Sequence, residues 1–441
     1  MEKNLTSGSV LKNIVFFSLP YLLSYFLQTL YGMADLFIIG QFDSVAATTA
    51  VSVGSQIMHM LTVMIVGLAM GSTVSIGQYI GAGNKKKTGA AIGNTVILFL
   101  SLSIVMTAAL LLLIKPIVSV IATPPEAVSG TISYLTVCFL GIPCITAYNI
   151  ISSIFRGMGD SKSPMYFIAI ACAVNIVLDF LFIGLLHLGP TGAALGTTLA
   201  QAISVLIAFS VIIRHSNGIS ICKEDFYPQK IILKKLLRIG IPVALQDGFI
   251  QIAFLLITAI ANRRGLTDAA AVGIVEKIIS FLFLVPSSML ACVSALGAQN
   301  IGAGKKERAI QTLRYAILIS IGFGFFISIA VQFTAPSIVG LFTSDSATII
   351  AGARYFRGYV MDCIFAGIHF CFSGYFCACG RSEFSFLHNI IAILLVRIPG
   401  VYLTSVLFPT TLFPMGLATV VGSLLSVIIC VIAFAVLRRR D

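Results

Sequence analysis

The sequence predicts an all-α, polytopic membrane protein of twelve transmembrane helices arranged as two pseudo-symmetric six-helix lobes. Three observations carry that prediction. Of 441 residues, 58% are apolar and only 10% are charged, where a soluble domain carries about 25% charged residues. Apolar stretches of roughly 20 to 30 residues recur along the whole chain with short turns between them, the length a helix needs to cross a bilayer. The second half also repeats landmarks of the first at a fixed spacing. A β-barrel would show alternating segments of about ten residues, whereas these runs are continuous with Gly and Pro inside them.

The twelve helices are expected at residues 14–39, 50–78, 89–114, 129–155, 164–186, 191–213, 236–261, 270–297, 309–333, 348–378, 384–407 and 412–436. The strongest breaks between them are Gly-Ala-Gly at 81–83 and 302–304, Thr-Pro-Pro at 123–125, Gly-Pro at 189–190 and a polar stretch from Arg214 to Lys235. This divides the chain into an N-lobe at 1–213, a cytoplasmic inter-lobe loop at 214–235 and a C-lobe at 236–441. The polar start, Met1 to Lys12, precedes an apolar run too long for the core of a signal peptide. Ten Cys fall almost all inside apolar runs, so they read as small buried residues and not as disulfides or metal ligands.

The formal net charge of +12 could point to nucleic acid, so its placement matters. With an even number of spans and the N-terminus inside, 21 of the 28 Lys and Arg fall on the cytoplasmic side. Lys85–Lys87, Lys234, Lys235, Lys305, Lys306 and Arg438–Arg440 are among them. The positive-inside rule therefore puts both termini in the cytoplasm. That face carries +14, the outer face +1 and the membrane layer −3. The basic excess is a topology signal, and no nucleic-acid partner is expected.

Duplication explains the repeated landmarks. Gln78-Tyr79-Ile80-Gly81-Ala82-Gly83 matches Gln299-Asn300-Ile301-Gly302-Ala303-Gly304 at an offset of 221 residues, Gly159 precedes Gly380 by 221, and Pro20 precedes Pro242 by 222. Six helices per copy give both copies one orientation, related by an axis along the membrane normal. Two such lobes around a cleft form a transporter plan.

Five acids stand inside apolar runs, Asp35, Asp179, Asp247, Glu276 and Asp362, against two bases, Lys277 and Arg397. Ionisable groups at membrane depth are expensive and are functional candidates by default. On helix one, Gln28, Tyr31 and Asp35 make a polar stripe, since a seven-residue step returns to within about 20° of the same direction. On helix five, Asn175 and Asp179 share a face as an i,i+4 pair. Two carboxylates converging in a low-dielectric pocket share a proton or require a cation, and such oxygens also suit a hard cation such as Na⁺.

These residues carry a resemblance. Pro20, Gln28, Tyr31 and Asp35, then Asn149, Asn175-Ile-Val-Leu-Asp179 and Thr197 resemble the N-lobe cation site of multidrug and toxic compound extrusion (MATE) transporters, in the DinF-like and MepA-like branch. The turns Arg156-Gly157-Met158-Gly159-Asp160 and Ala298-Gln299-Asn300-Ile301-Gly302-Ala303-Gly304 are similar to turns of that family, and the likeness runs from Pro20 to Arg381 at least. It implies the MATE fold in the cytoplasmic membrane of a bacterium, and export of organic cations in exchange for H⁺ or Na⁺. It further implies Asp35 and Asp179 as cation-binding carboxylates, Asn149, Asn175 and Thr197 as their neighbours, Gln28 and Tyr31 as cavity-lining residues, and Pro20 as a hinge in helix one.

The C-lobe departs from the pattern. Another branch has a Glu nine residues after the helix-seven proline, where this chain has Gln251, and that branch's helix-ten acid aligns with Ala366, one turn from Asp362. Asp362 and His369 share a face of helix ten, and Arg397 can pair with Asp362, either as a structural ion pair or as a substrate contact. Glu276 and Asp247 are expected to face the cleft with Gln251. Lys277 has no clear partner, and His388 is placed at a helix end.

Two rivals carry residues of their own. Gly157-Met158-Gly159-Asp160 resembles the Gly-x-Gly-Asp element of intramembrane proteases, but its Asp sits between Arg156 and Lys162 at a helix end. No Gly-Lys-Ser/Thr follows Gly81-Ala82-Gly83, so an ATP-driven pump is not expected. A lipid or glycolipid flippase of the same wider superfamily is the alternative function, although a phosphate cargo calls for a basic cavity and this membrane layer is acidic. The expectation is a monomeric transporter, not an enzyme, working in the lipid bilayer with organic cations as substrates. It needs no cofactor beyond the coupling ion, and Asp35 and Asp179 are the place Na⁺ would take.

Overall fold

In the computed structural model residues 4–121, 123–214 and 222–440 are described, and no strand occurs among them. The helices are α1 (Val10–Phe42), α2 (Val45–Gly81), α3 (Lys85–Val120), α4 (Pro125–Leu140 then Ile142–Gly157), α5 (Lys162–Leu185) and α6 (Gly189–Arg214). They continue as α7 (Lys230–Asn262), α8 (Leu266–Gly302), α9 (Lys306–Val339), α10 (Ser346–Tyr359 then Asp362–Ala378), α11 (Ser382–Leu407) and α12 (Phe413–Arg440). Among the described residues ten are long and apolar enough to cross a membrane, and the two bent pairs, each counted as one span, bring the number to twelve.

Helices α2 and α3 begin ahead of their apolar stretches because polar residues cap them. Ser44 Oγ accepts from the Ala47 amide at 3.2 Å, and Asn84 Oδ1 from that of Lys87 at 3.0 Å. Each satisfies one of the amide groups a helix start leaves without a partner. The lysines at 85–87 thus form the first turn of α3 and not a loop.

Helices four and ten, expected as continuous, are bent by 49° and 42°. In α4 the cause is Pro143, which lacks an amide proton and whose ring crowds the carbonyl four residues back, at Phe139. The Thr107 hydroxyl of α3 donates to that carbonyl at 3.1 Å. At the bend of α10, Ser328 of α9 donates to the Val360 carbonyl at 3.2 Å. Thr107 and Ser328, like Phe139 and Val360, stand 221 residues apart. Backbone at membrane depth needs such replacement donors, and here both repeats supply them from the same neighbouring helix.

The duplication shows in the turns as well. Gly83 and Gly304 have φ of 66° and 73°, Gly159 and Gly380 of 86° and 71°, a left-handed conformation that glycine adopts without penalty. Each closes a helix with a six-to-one bond, Asn84 to Tyr79 at 3.0 Å and Lys305 to Asn300 at 2.8 Å, then Asp160 to Phe155 at 2.9 Å and Arg381 to Phe376 at 2.8 Å. A glycine motif repeated at 221 residues is therefore one helix terminator used twice.

Two compact units result. One holds Leu19–Gly240, the other Leu5–Ser18 with Ile241–Asp441. The first is built on Ile39, Val51, Leu135 and Phe139 and on Tyr148, Phe155 and Ile168. The second is built on Ile257, Val272, Tyr355, Phe356 and Val360. Residues 215–221 of the expected inter-lobe loop lie outside the described residues. Its later part docks on α3: Asn94 Nδ2 donates to the carbonyls of Asp225 and Tyr227 at 3.3 and 3.2 Å, and Asn94 Oδ1 accepts from the Gln229 amide at 2.7 Å. None of the ten cysteines, all of them among the described residues, is joined in a disulfide.

Candidate functional site

In the first unit, three helices bring five of the sequence-selected residues together. Asp35 comes from the last third of α1, Asn175 and Asp179 from α5, and Thr197 from α6, while Tyr31 lies beside Asp35 one turn earlier. Asp35 is 3% exposed and Asp179 0%. Their carboxyl groups lie side by side, with Asn175 adjoining both. The Thr197 hydroxyl donates to Asp35 Oδ2 at 3.0 Å, and Asn175 Nδ2 reaches Asp179 Oδ2 at 3.4 Å. Asn149 is buried on α4 and returns its amide to the Ile145 carbonyl at 2.8 Å, leaving its oxygen free. Gln28 is half-buried beside Tyr148.

Local backbone features position the aspartate pair. Asp179 is the last α-helical residue of α5, and Phe180–Leu185 continues as a π-helix, a wider turn that recurs at functional sites. On α6, Gly196 allows the carboxyl to approach, since a Cβ there would sit 2.1 Å from Asp179 Oδ1. Gly196→Ala is therefore expected to push the Asp179 carboxyl away from Asp35 and Asn175. Transport should fall about tenfold or more while the protein still folds, with a loss of about 1–3 kcal/mol typical of overpacking. Transport by the purified variant and its melting temperature check both halves.

Among the described residues, Asp35 Oδ1, Asp179 Oδ1, Asn175 Oδ1 and Asn149 Oδ1 are buried and receive no hydrogen bond. Buried polar atoms are normally paired, so a cluster of orphaned oxygens marks a place that can take a proton or a hard cation.

The second unit gathers a different set. Arg397 Nη2 donates to Asp362 Oδ2 at 2.5 Å and reaches Ser423 Oγ at 3.4 Å. Glu276 accepts from the Tyr355 hydroxyl at 2.9 Å. His369 lies 5.4 Å, centroid to centroid, from His388, and Ser373 Oγ bonds His388 Nε2 at 2.8 Å. Asp362 and Arg397, expected as a pair, are one. Glu276, expected to face a cleft, is buried, as are Asp362, His369 and His388. His388 is buried inside α11 and not at its end. Lys277, counted among the membrane bases, is exposed, while Asp247 and Gln251 are half-buried on α7.

Two further residues singled out in the sequence have defined partners. Asp160 caps the start of α5, accepting from the amides of Lys162 and Ser163 at 3.0 and 3.2 Å and from the Ser163 hydroxyl at 2.7 Å, the role of a cap and not of a catalytic acid. Arg156 donates to the Tyr21 hydroxyl at 3.0 Å, one residue after Pro20, and its guanidinium stands 4.5 Å above that ring. Gly196, Tyr355, Ser423 and Gln201, whose side chain adjoins Tyr31, escaped the sequence reading. For Gln201 a signal existed, because Thr197, Gln201 and Ser204 form a polar stripe on an apolar helix, spaced as one face.

Comparison with known proteins now bears on this geometry. The chain is 28% identical over 395 residues to the probable multidrug resistance protein YpnP of Bacillus subtilis, covering 89% of this chain and 88% of that one. It is 25% identical over 419 residues to the multidrug export protein MepA of Staphylococcus aureus strain NCTC 8325, covering 94% and 90%. Its fold matches the outward-facing structure of a multidrug resistance MATE transporter of the MOP superfamily with a TM-score of 0.92 at 23% identity, over 99% of this chain and 98% of that one. The MatE family model matches twice, at residues 20–181 and 242–403. Both matches begin at the equivalent prolines, Pro20 and Pro242, so the duplicated unit read from the turns is the family's own unit, and the chain belongs to the MatE family of multi-pass membrane transporters.

Proposed function

We propose that the protein is a secondary antiporter that exports organic cations, driven by H⁺ or Na⁺ entering through the Asp35–Asp179 site. The observation that carries this reading is the pair of adjoining buried carboxyls with orphaned oxygens around them. A site of that kind changes its charge when it binds a cation, and only differential binding of the ion to two states can drive one into the other. Asp35 stands on the same helix as Pro20, fifteen residues further on, so the ion site and the hinge share one element. The names of the relatives YpnP and MepA support small, structurally varied substrates.

The lobes are taken to alternate in exposing the substrate path, with both termini in the cytoplasm as the +14 face requires. An acidic membrane layer favours a cationic cargo over a phosphate-bearing lipid, which would need basic groups instead. Purified protein in vesicles, given a pH gradient or a Na⁺ gradient and a fluorescent organic cation, tests the reading. Uptake driven by at least one gradient is expected. Uptake that follows neither gradient, or transport of a lipid headgroup in place of the cation, refutes it.

A further inference from the structure

We infer that the second unit carries its own proton-binding site, separate from the Asp35–Asp179 pair, in which Glu276 is the carboxyl that takes up the proton. Glu276 of α8, Tyr355, Tyr359 and Asp362 of α10, Arg397 of α11 and Ser423 of α12 converge inside the core of that unit. Asp362 uses the one guanidinium at 2.5 Å. Glu276 has only a neutral partner, the Tyr355 hydroxyl at 2.9 Å on Oε1, and its Oε2 is buried with no donor among the described residues. Lys277, next in sequence, is exposed and supplies no balancing charge.

Two carboxyls facing one guanidinium leave the cluster at −1 when both are ionised. An uncompensated charge in a buried place is costly and calls for neutralisation. One proton closes the balance. It belongs on Glu276, since Asp362 already has a cation against it. An independent group marks the same spot: Tyr359 is 0% exposed, its hydroxyl is unpartnered, and it lies within electrostatic reach of Glu276, Asp362 and Arg397.

The other titratable groups around the cluster are Cys363 and His369 on α10 and His388 on α11. The helices α7, α9 and α12 pack there with apolar side chains such as Ile257, Val331 and Met415, besides Ser423. His369 has an unpartnered Nδ1 and is the rival acceptor of the same proton. A proton on imidazole gives no carboxyl signal, which lets one measurement separate the two.

The test is infrared difference spectroscopy of the purified full chain across a pH titration, in an Asp35→Asn/Asp179→Asn background that silences the first site. A protonated-carboxyl band that titrates in this background is expected, with the amplitude of one carboxyl lost when Glu276→Gln is added. Tyr355→Phe keeps the acid and removes its donor, so it should shift the band's frequency, and melting temperatures confirm folding. A background with no titrating carboxyl band, a band unchanged by Glu276→Gln, or one unmoved by Tyr355→Phe overturns the inference. Because the first site is absent throughout, its failure and this one are read separately.

Discussion

Asp35→Asn and Asp179→Asn are each expected to lower gradient-driven transport by about two orders of magnitude or more, while leaving the protein folded. An amide fills the volume of the carboxyl but cannot change its charge, so the ion loses its differential hold on the two states. Moving a two-state equilibrium fully from one side to the other takes a ratio of affinities of about 10⁴, and a site unable to bind the ion contributes none of it. The two changes should not add, because the carboxyls adjoin and act as one unit. Thr197→Val offers a contrast. It removes one hydrogen bond to Asp35 Oδ2, worth about 1 kcal/mol, and should cost roughly fivefold. Vesicle transport under a gradient, set beside gradient-free exchange of labelled substrate, measures this. Exchange that persists in Asp35→Asn while gradient-driven uptake disappears is the expected pattern. Full gradient-driven transport in both aspartate variants removes the site from the mechanism.

What the sequence made legible was whatever depends on length, periodicity and charge. Twelve apolar runs, a 221-residue repeat and the Gln28–Tyr31–Asp35 and Asn175–Asp179 stripes follow from helix geometry, and they reappear as α1 to α12, as paired glycine terminators and as neighbouring carboxyls. The bends escaped because the periodicity of an apolar run is the same on both sides of a break. Pro143 signalled one of them, yet α10 bends with no proline at all, where Ser328 meets the Val360 carbonyl. The C-lobe set was legible only in part. Arg397 and Asp362 can be paired from their rarity, since two opposite charges at membrane depth seek each other. That Glu276 meets Tyr355 on a distant helix depends on packing angles that no single-helix pattern contains.

The second large effect concerns that ion pair. Arg397 is 9% exposed and Asp362 0%, a burial that favours reading the pair as a tie between α10 and α11 over reading it as a substrate contact. Breaking it from one side should be severe. Asp362→Asn leaves a guanidinium buried without its counter-charge, and Arg397→Met leaves a carboxylate. Each is expected to destabilise by about 3–5 kcal/mol, a fall in melting temperature of about 10 °C. Removing both charges together is a different matter. Because the pair had to be desolvated to form, Asp362→Leu with Arg397→Met should return the melting temperature to within a few degrees of the parent. Asp362 opens the second half of α10 directly after its bend, and Arg397 ends the π-helical stretch Ile393–Arg397 of α11, so the pair fastens together two irregular segments. Apolar packing can do the same once both charges are gone. Transport should therefore recover with stability in the double variant. A double variant that melts like the parent yet carries no substrate would show instead that the charges themselves take part in transport.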